Sequence, residues 1–405
     1  MGDMEACRLR ENLGEYVLNR EIVPELPTNL IVEHISSFLD RTTWNILMSS
    51  SQAFYFASKL STMQYSTAEF PPWPTNVAFK TESTVNSVAF SPNGQWLACG
   101  CRDGYIRIWN RRYGPQAHLN GHGRDHVTEV VFASNSRFLV SASHDLIRIW
   151  NVVDGKIDDQ GRSILESSNY RALHVCSIAV SPDSKLLASG NAGYPLVSLW
   201  CVASGRCLAN LDPIPGILPP TPVLSLAFAP DLNLIACGCF DRTIRLWYYK
   251  NPPIAHRSSE QPPGEAHFTP RVESWIAHTN KVKSVAFGHN TSALLASASL
   301  GFYHRSDEAT IRFWNTQNKN CVTKASPLES PNLNVHSIQF SPTDDQLLAS
   351  ACMNGQIQLW RDGVCIRILA GGHGVHPVYS VAFAPNGKIL ASGSRDETVR
   401  LWSLS

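Results

Sequence analysis

"VYSVAFAPNGKILASGSRDETVRLW", residues 378–402, runs through three short segments of distinct character. An apolar segment is followed by a turn rich in Pro, Asn and Gly, then by a segment of small residues, a second turn around Asp396, and a last segment ending on Trp402. That order predicts three strands joined by tight turns. The same unit returns as "VNSVAFSPNGQWLACGCRDGYIRIW" at residues 85–109 and as "VLSLAFAPDLNLIACGCFDRTIRLW" at residues 223–247. Seven such units end at Trp109, Trp150, Trp200, Trp247, Trp314, Trp360 and Trp402.

Successive tryptophans lie 41, 50, 47, 67, 46 and 42 residues apart. The shortest gaps match the roughly 40–45 residues of a four-stranded propeller blade, with the excess placed in loops. Runs such as "SVAF" and "IRLW" are apolar on both faces, as required where each sheet is sandwiched between two others.

The bulk numbers set the limits. A chain of 405 residues, 43% apolar and 17% charged, can bury one large core and a small one. The net charge of +1 provides no overall field to draw in nucleic acid or an anionic membrane, so any charged site is local. Apolar runs break every few residues, far short of the roughly 20 needed to span a bilayer. The opening "MGDMEACRLRENLGEY" is too acidic for a secretory signal, and Ala6 stands where myristoylation needs Ser or Thr. Several of the 11 cysteines sit in strand-like segments such as "ACGC", without disulfide or zinc spacing, and they read as small buried thiols of a cytoplasmic or nuclear protein. No nucleophile elbow, phosphate loop or His-Glu-x-x-His is present, so an enzyme, a metal site and a cofactor are not expected.

On these residues the chain resembles the WD-repeat family from roughly residue 75 to 405. The resemblance implies an all-β, seven-bladed propeller. Asp103, Asp241 and Asp396 match the family's turn Asp, with Asp145 one residue closer to its Trp. His122, His278 and His373 match its Gly-His element, which would bond to those carboxylates. The pattern is incomplete: no unit has a literal Trp-Asp, the third lacks the turn Asp, and the sixth has Asn354 there.

The seventh unit supplies three strands of its own, and "NVAFK" at residues 76–80 is expected to be its outer strand, closing the ring. Immediately before it, "FPPWP" at residues 70–74 reads as a stiff linker. Farther upstream, "LPTNLIVEHISSFLDRTTWNIL", residues 26–47, has apolar residues at helical spacing. This stretch resembles an F-box through Leu26, Pro27, Leu30, Ile31, Ile35, Phe38, Leu39, Asp40, Trp44 and Leu47. The expected organisation is an N-terminal extension at 1–22, a small α-helical F-box-like segment at 23–60, a linker at 61–74, and the propeller at 75–405.

An F-box joined to a WD propeller implies the substrate-recognition subunit of an SCF-type ubiquitin ligase. Leu26, Pro27, Leu30, Ile31, Ile35, Leu39 and Trp44 would dock on a Skp-family adaptor within a cullin complex, and the propeller would hold a protein target. Two alternatives stand beside it: the helices fold against the propeller as a cap, or the chain is a non-enzymatic scaffold with no ubiquitin link.

In WD propellers the residues before the turn Asp and before each first strand face one end of the ring. Carried over, they are Arg102, His144, Phe240, Met353 and Arg395, with Arg124, His126 and Lys281. Arg395, Arg102 and His144 would form a contiguous cationic arc suited to a phosphorylated or acidic peptide. The alternative is that they are solvated loop residues partnered by Glu82, Asp125 and Glu397. No membrane or nucleic-acid partner is expected.

Overall fold

The computed structural model describes residues 73–112, 114–153, 156–157, 162–163, 174–193, 196–211, 221–231, 234–248, 271–300, 311–325 and 334–404. The helical segment expected at 23–60, with its residues Leu26, Pro27, Leu30, Ile31, Ile35, Leu39 and Trp44, lies outside them, as does the Pro-rich stretch at 251–270. The described residues form seven antiparallel sheets, one for each Trp-ended unit.

Blade 1 runs Val85–Phe90, Trp96–Cys101, Tyr105–Asn110 and Gly114–Asn120, from the axis outward. Blades 3 to 6 repeat this order, beginning at Val175–Val180, Val223–Phe228, Val282–Phe287 and Val335–Ser341. Blade 2 starts at Glu129–Phe132, and its outer edge consists of two short strands, Lys156–Ile157 and Arg162–Ser163. Inner strands of successive blades lie side by side around the ring, and that of blade 7, Val378–Phe383, returns to blade 1.

Ring closure follows the expected scheme. Val77–Lys80 pairs antiparallel with Thr398–Ser403, in register Val77↔Leu401 to Lys80↔Thr398, as the fourth strand of blade 7. Val77 and Phe79 pack on a cluster that joins Val85, Leu97 and Trp109 of blade 1 to Ala391, Val399 and Leu401 of blade 7. Each seam has such a cluster, which is why the strands are apolar on both faces. Small residues permit the approach: a Cβ at Gly393 would lie 2.4 Å from Val85 Cγ1, and one at Gly100 would lie 2.5 Å from Val127 Cγ1.

Polar contacts tie the blades together as well. Ser87, Ser177, Ser225, Ser284 and Ser380 each accept, at 3.1 Å, the backbone N–H of Val130, Leu226, Val285, Ile338 and Val88 on the next inner strand. Blade 2 carries Glu129 at this position, and its Oε2 accepts the Ile178 N–H at 2.6 Å. Burial raises the Glu129 carboxyl from 4.5 to about 7, against the opposing effect of that hydrogen bond. Between those two values the folded chain holds a proton that the unfolded chain has released. Stability therefore falls as pH rises through this window and is level above it. Glu129→Gln keeps an acceptor for Ile178 and has no proton to lose, so it should match wild type at pH 4 and exceed it by about 3 kcal/mol at pH 8. Urea melts of the two chains across this range check the slope.

Of the residues read as a linker, Trp73 and Pro74 are described. Trp73, though read as part of a spacer, is 5% exposed, donates its indole N–H to the Gly94 carbonyl at 2.9 Å and meets the Phe90 ring edge-on at 5.6 Å. Ala384, Pro385 and Asn386 of blade 7 line the same crevice.

Candidate protein-binding face

The turns between second and third strands carry the repeated Asp, and their chemistry depends on what the second strand offers. In blade 7, His373 bonds Asp396 at 2.7 Å through Nδ1 and Ser392 at 2.7 Å through Nε2, while Ser392 also accepts the Trp402 indole N–H at 2.8 Å. Burial works against the Asp396 charge, yet the bonds from His373 and Thr398 hold its carboxyl below the ordinary range. This is the His–Asp pairing expected from the family.

The other blades differ. His122 bonds Ser141 at 2.7 Å and Ser143 at 3.0 Å, not Asp145. His278 bonds Ser297 at 2.7 Å, and the segment that would carry its turn Asp lies outside the described residues. Burial lowers His122 to about 4 and His278 to about 3, so both are neutral structural groups. In blades 1 and 4 an arginine on the third strand replaces the histidine: Arg107 grips Asp103 through two bonds of 3.2 and 2.7 Å, and Arg245 reaches Asp241 at 2.8 Å. These are the blades with Cys99 and Cys237 where the others have serine. A thiol is a weak partner for a ring nitrogen, so the carboxylate is held by a charge-assisted fork instead. In blade 6, Asn354 Oδ1 accepts the Gln356 N–H at 3.1 Å and does the same work. Burial also pushes the Cys239 and Cys352 thiols up to about 12, which keeps them protonated.

With the turns pinned, the residue before each turn Asp is fixed at one end of the ring, opposite the first-to-second-strand turns where Trp73 docks. Arg102, His144 and Arg395 are exposed there, on neighbouring blades 1, 2 and 7. Arg102 donates from Nε to His126 Nε2 at 3.4 Å, and His126 Nδ1 returns a bond to the Arg102 carbonyl. Arg124 is exposed in the loop entering blade 2. Among the described residues, none of these three guanidinium groups pairs with Glu82, Asp125 or Glu397. The arc is therefore an exposed set of cationic groups with no carboxylate in ion-pair contact among the described residues.

The remaining candidates continue around the same end. Lys281 lies over the Phe240 ring at 5.3 Å, and Phe240 is 53% exposed. Met353 is half-buried and accepts from Asn334 Nδ2 at 3.4 Å. The positions read from sequence are thus on one face, though spread around its rim. His174, which meets His144 edge-on at 6.0 Å, belongs with them and was missed. It precedes the inner strand of blade 3 as His126 and Lys281 precede theirs, so counting back from each first valine finds it.

The WD domain, G-beta repeat family pattern matches residues 75–110, 114–151, 216–248, 321–361 and 363–403. The chain is 26% identical over 352 residues to guanine nucleotide-binding protein subunit beta-like protein 1 of Mus musculus, covering 82% of this chain and 97% of that protein. It is 24% identical over 287 residues to periodic tryptophan protein 2 of Arabidopsis thaliana, covering 70% of this chain and 27% of that protein. With telomerase protein component 1 of Rattus norvegicus, the identity is 22% over 335 residues, and the match covers 82% of this chain but 11% of the relative.

Proposed function

We propose that this WD-repeat protein is a non-enzymatic scaffold whose propeller gathers protein partners on the end bearing Arg102, His126, Phe240 and Arg395. The observation that carries this reading is the exposed cationic arc, which has no carboxylate partner among the described residues and shares its end of the closed ring with the exposed Phe240 ring. Such a face suits an acidic or phosphorylated segment, with guanidinium forks gripping oxyanions and Phe240 taking an apolar side chain. The similar proteins are named for different tasks, among them a transcriptional corepressor of Arabidopsis thaliana and a telomerase component. That variety supports a shared binding frame rather than a shared reaction.

Replacing Arg102 and Arg395 by Ala tests the reading. Each charge-assisted bond contributes about 1.5–3 kcal/mol, so losing one should weaken partner binding roughly ten- to a hundredfold with the melting temperature unchanged. Quantitative affinity capture at two salt concentrations, wild type against the double variant, reads the loss. Partners held equally by both chains would refute the arc as the binding surface.

One sequence observation favours a second reading, the substrate receptor of an SCF-type ubiquitin ligase. The F-box-like residues Leu30 and Ile31 sit ahead of a propeller, an arrangement suited to holding an adaptor with one module and a target with the other. In that case Leu30→Ala with Ile31→Ala should abolish binding to a Skp-family adaptor, each buried anchor being worth about 2 kcal/mol or more. A direct binding assay with purified adaptor separates the readings: no binding by wild type leaves the scaffold alone.

A further inference from the structure

Six of the seven inner strands carry a register irregularity at the same place, between the first valine and the serine two residues on, and the residues set in it are Asn86, Cys176, Leu224, Lys283, His336 and Tyr379. A bulge leaves its extra residue outside the ladder and re-aims the side chain. All six are half-buried, while the valines before them are sealed in the seams, so they line the axial channel at one level.

Two of these groups are satisfied by the protein. Asn86 Nδ2 donates to the Val127 carbonyl at 2.9 Å, and the Cys176 thiol to the His174 carbonyl at 3.4 Å. Lys283 and His336, on adjacent blades 5 and 6, differ. Among the described residues the Lys283 ammonium has neither hydrogen bond nor ion pair, and His336 Nε2 is buried without a partner while the ring meets Tyr379 edge-on at 5.0 Å. A half-buried ammonium next to a buried, unpartnered ring nitrogen offers an acceptor in the channel two contacts.

We propose that the axial channel binds an oxyanion between the Lys283 ammonium and the His336 ring. Surrounding charges are mixed: Lys281 adds positive charge, and Glu129 and Cys176 act in the opposite sense. Burial lowers Lys283 from its ordinary range, with Cys176 and Glu129 pulling the other way and Lys281 adding to the fall. Burial, helped by Lys283 and Lys281, lowers His336 to about 4, so its ring is neutral and one nitrogen carries a hydrogen to donate. A bound carboxylate or phosphate would contact both groups and favour the charged form of Lys283. This site is within the channel and distinct from the Arg102 and Arg395 arc, so either stands if the other fails.

The experiment is amine footprinting of the full chain with an N-hydroxysuccinimide ester, Lys283 read by mass spectrometry against exposed Lys185. The probes are inorganic phosphate and a capped Gly-Glu-Gly peptide, with chloride and the matching Gly-Gln-Gly peptide as controls at equal ionic strength. At a probe concentration about ten times its dissociation constant, labelling of Lys283 should slow about tenfold while Lys185 is unaffected. The more effective probe shows whether a free ion or an acidic side chain is the natural occupant. As a second measure, the rise in melting temperature with phosphate should be smaller in Lys283→Met than in wild type and retained in Lys283→Arg. Equal protection by chloride, no protection, or a Lys283 that never reacts would each overturn the proposal; if the Met variant does not fold, the footprint decides alone.

Discussion

A chain lacking residues 75–80 should aggregate, or melt well below wild type with a broadened transition. These residues include Val77–Lys80, which supply the outer strand of blade 7. Without them the Thr398–Ser403 strand presents its backbone N–H and C=O groups to solvent, a ready template for pairing with another chain. The loss reaches further than one edge, since Phe79 lies 5.2 Å from the Trp109 ring of blade 1 and the seam between the first and last blades loses part of its core. Light scattering and calorimetry on the deletion read both effects. Unchanged solubility and melting would mean that the ring holds closed through its inner strands alone.

Trp73→Ala should cost about 3–5 kcal/mol, the range for emptying a buried aromatic site. The indole lines the crevice between the turn at Gly94 and Ala384–Asn386 of blade 7, so it anchors the chain where the ring closes. Trp73→Phe should retain most of the packing and lose only the bond to the Gly94 carbonyl, about 1 kcal/mol. Urea melts of the three chains give the order wild type, Phe, Ala; an Ala variant as stable as wild type would make Trp73 a passive part of the linker.

The architecture was legible because it is written seven times. Each blade must bury both faces and end its third strand on a large ring, so an apolar pattern and a Trp recur at readable spacing. The closing strand was legible by subtraction, since the last unit was one strand short. Side-chain partnerships were harder to read. His122 and His373 are equivalent in sequence, yet only His373 reaches a turn Asp, because in blade 2 Ser143 occupies the place of that partner. The third-strand Arg is also present in blades 2, 5 and 7, and its pairing with the turn Asp in blades 1 and 4, where Cys stands for Ser, involves residues on separate elements that meet only in the fold. Lys283 and His336 were invisible for another reason: alternation assigns strand residues to one of two faces, and a bulge escapes that rule. Trp73 was misread because prolines on both sides make it look like spacer, whereas the crevice that receives it is built from residues far along the chain.

The most direct measurement of the scaffold account is hydrogen exchange on the full chain, free and with a captured partner bound. Slower exchange is expected at Arg102–Asp103, Arg124–His126, Phe240–Asp241 and Arg395–Asp396, on the end that bears the exposed arginines. Exchange at the opposite turns, around Asn93, Asn135 and Asn386, should be unchanged. Protection confined to those opposite turns, with the arginine end exchanging as in the free chain, would contradict it.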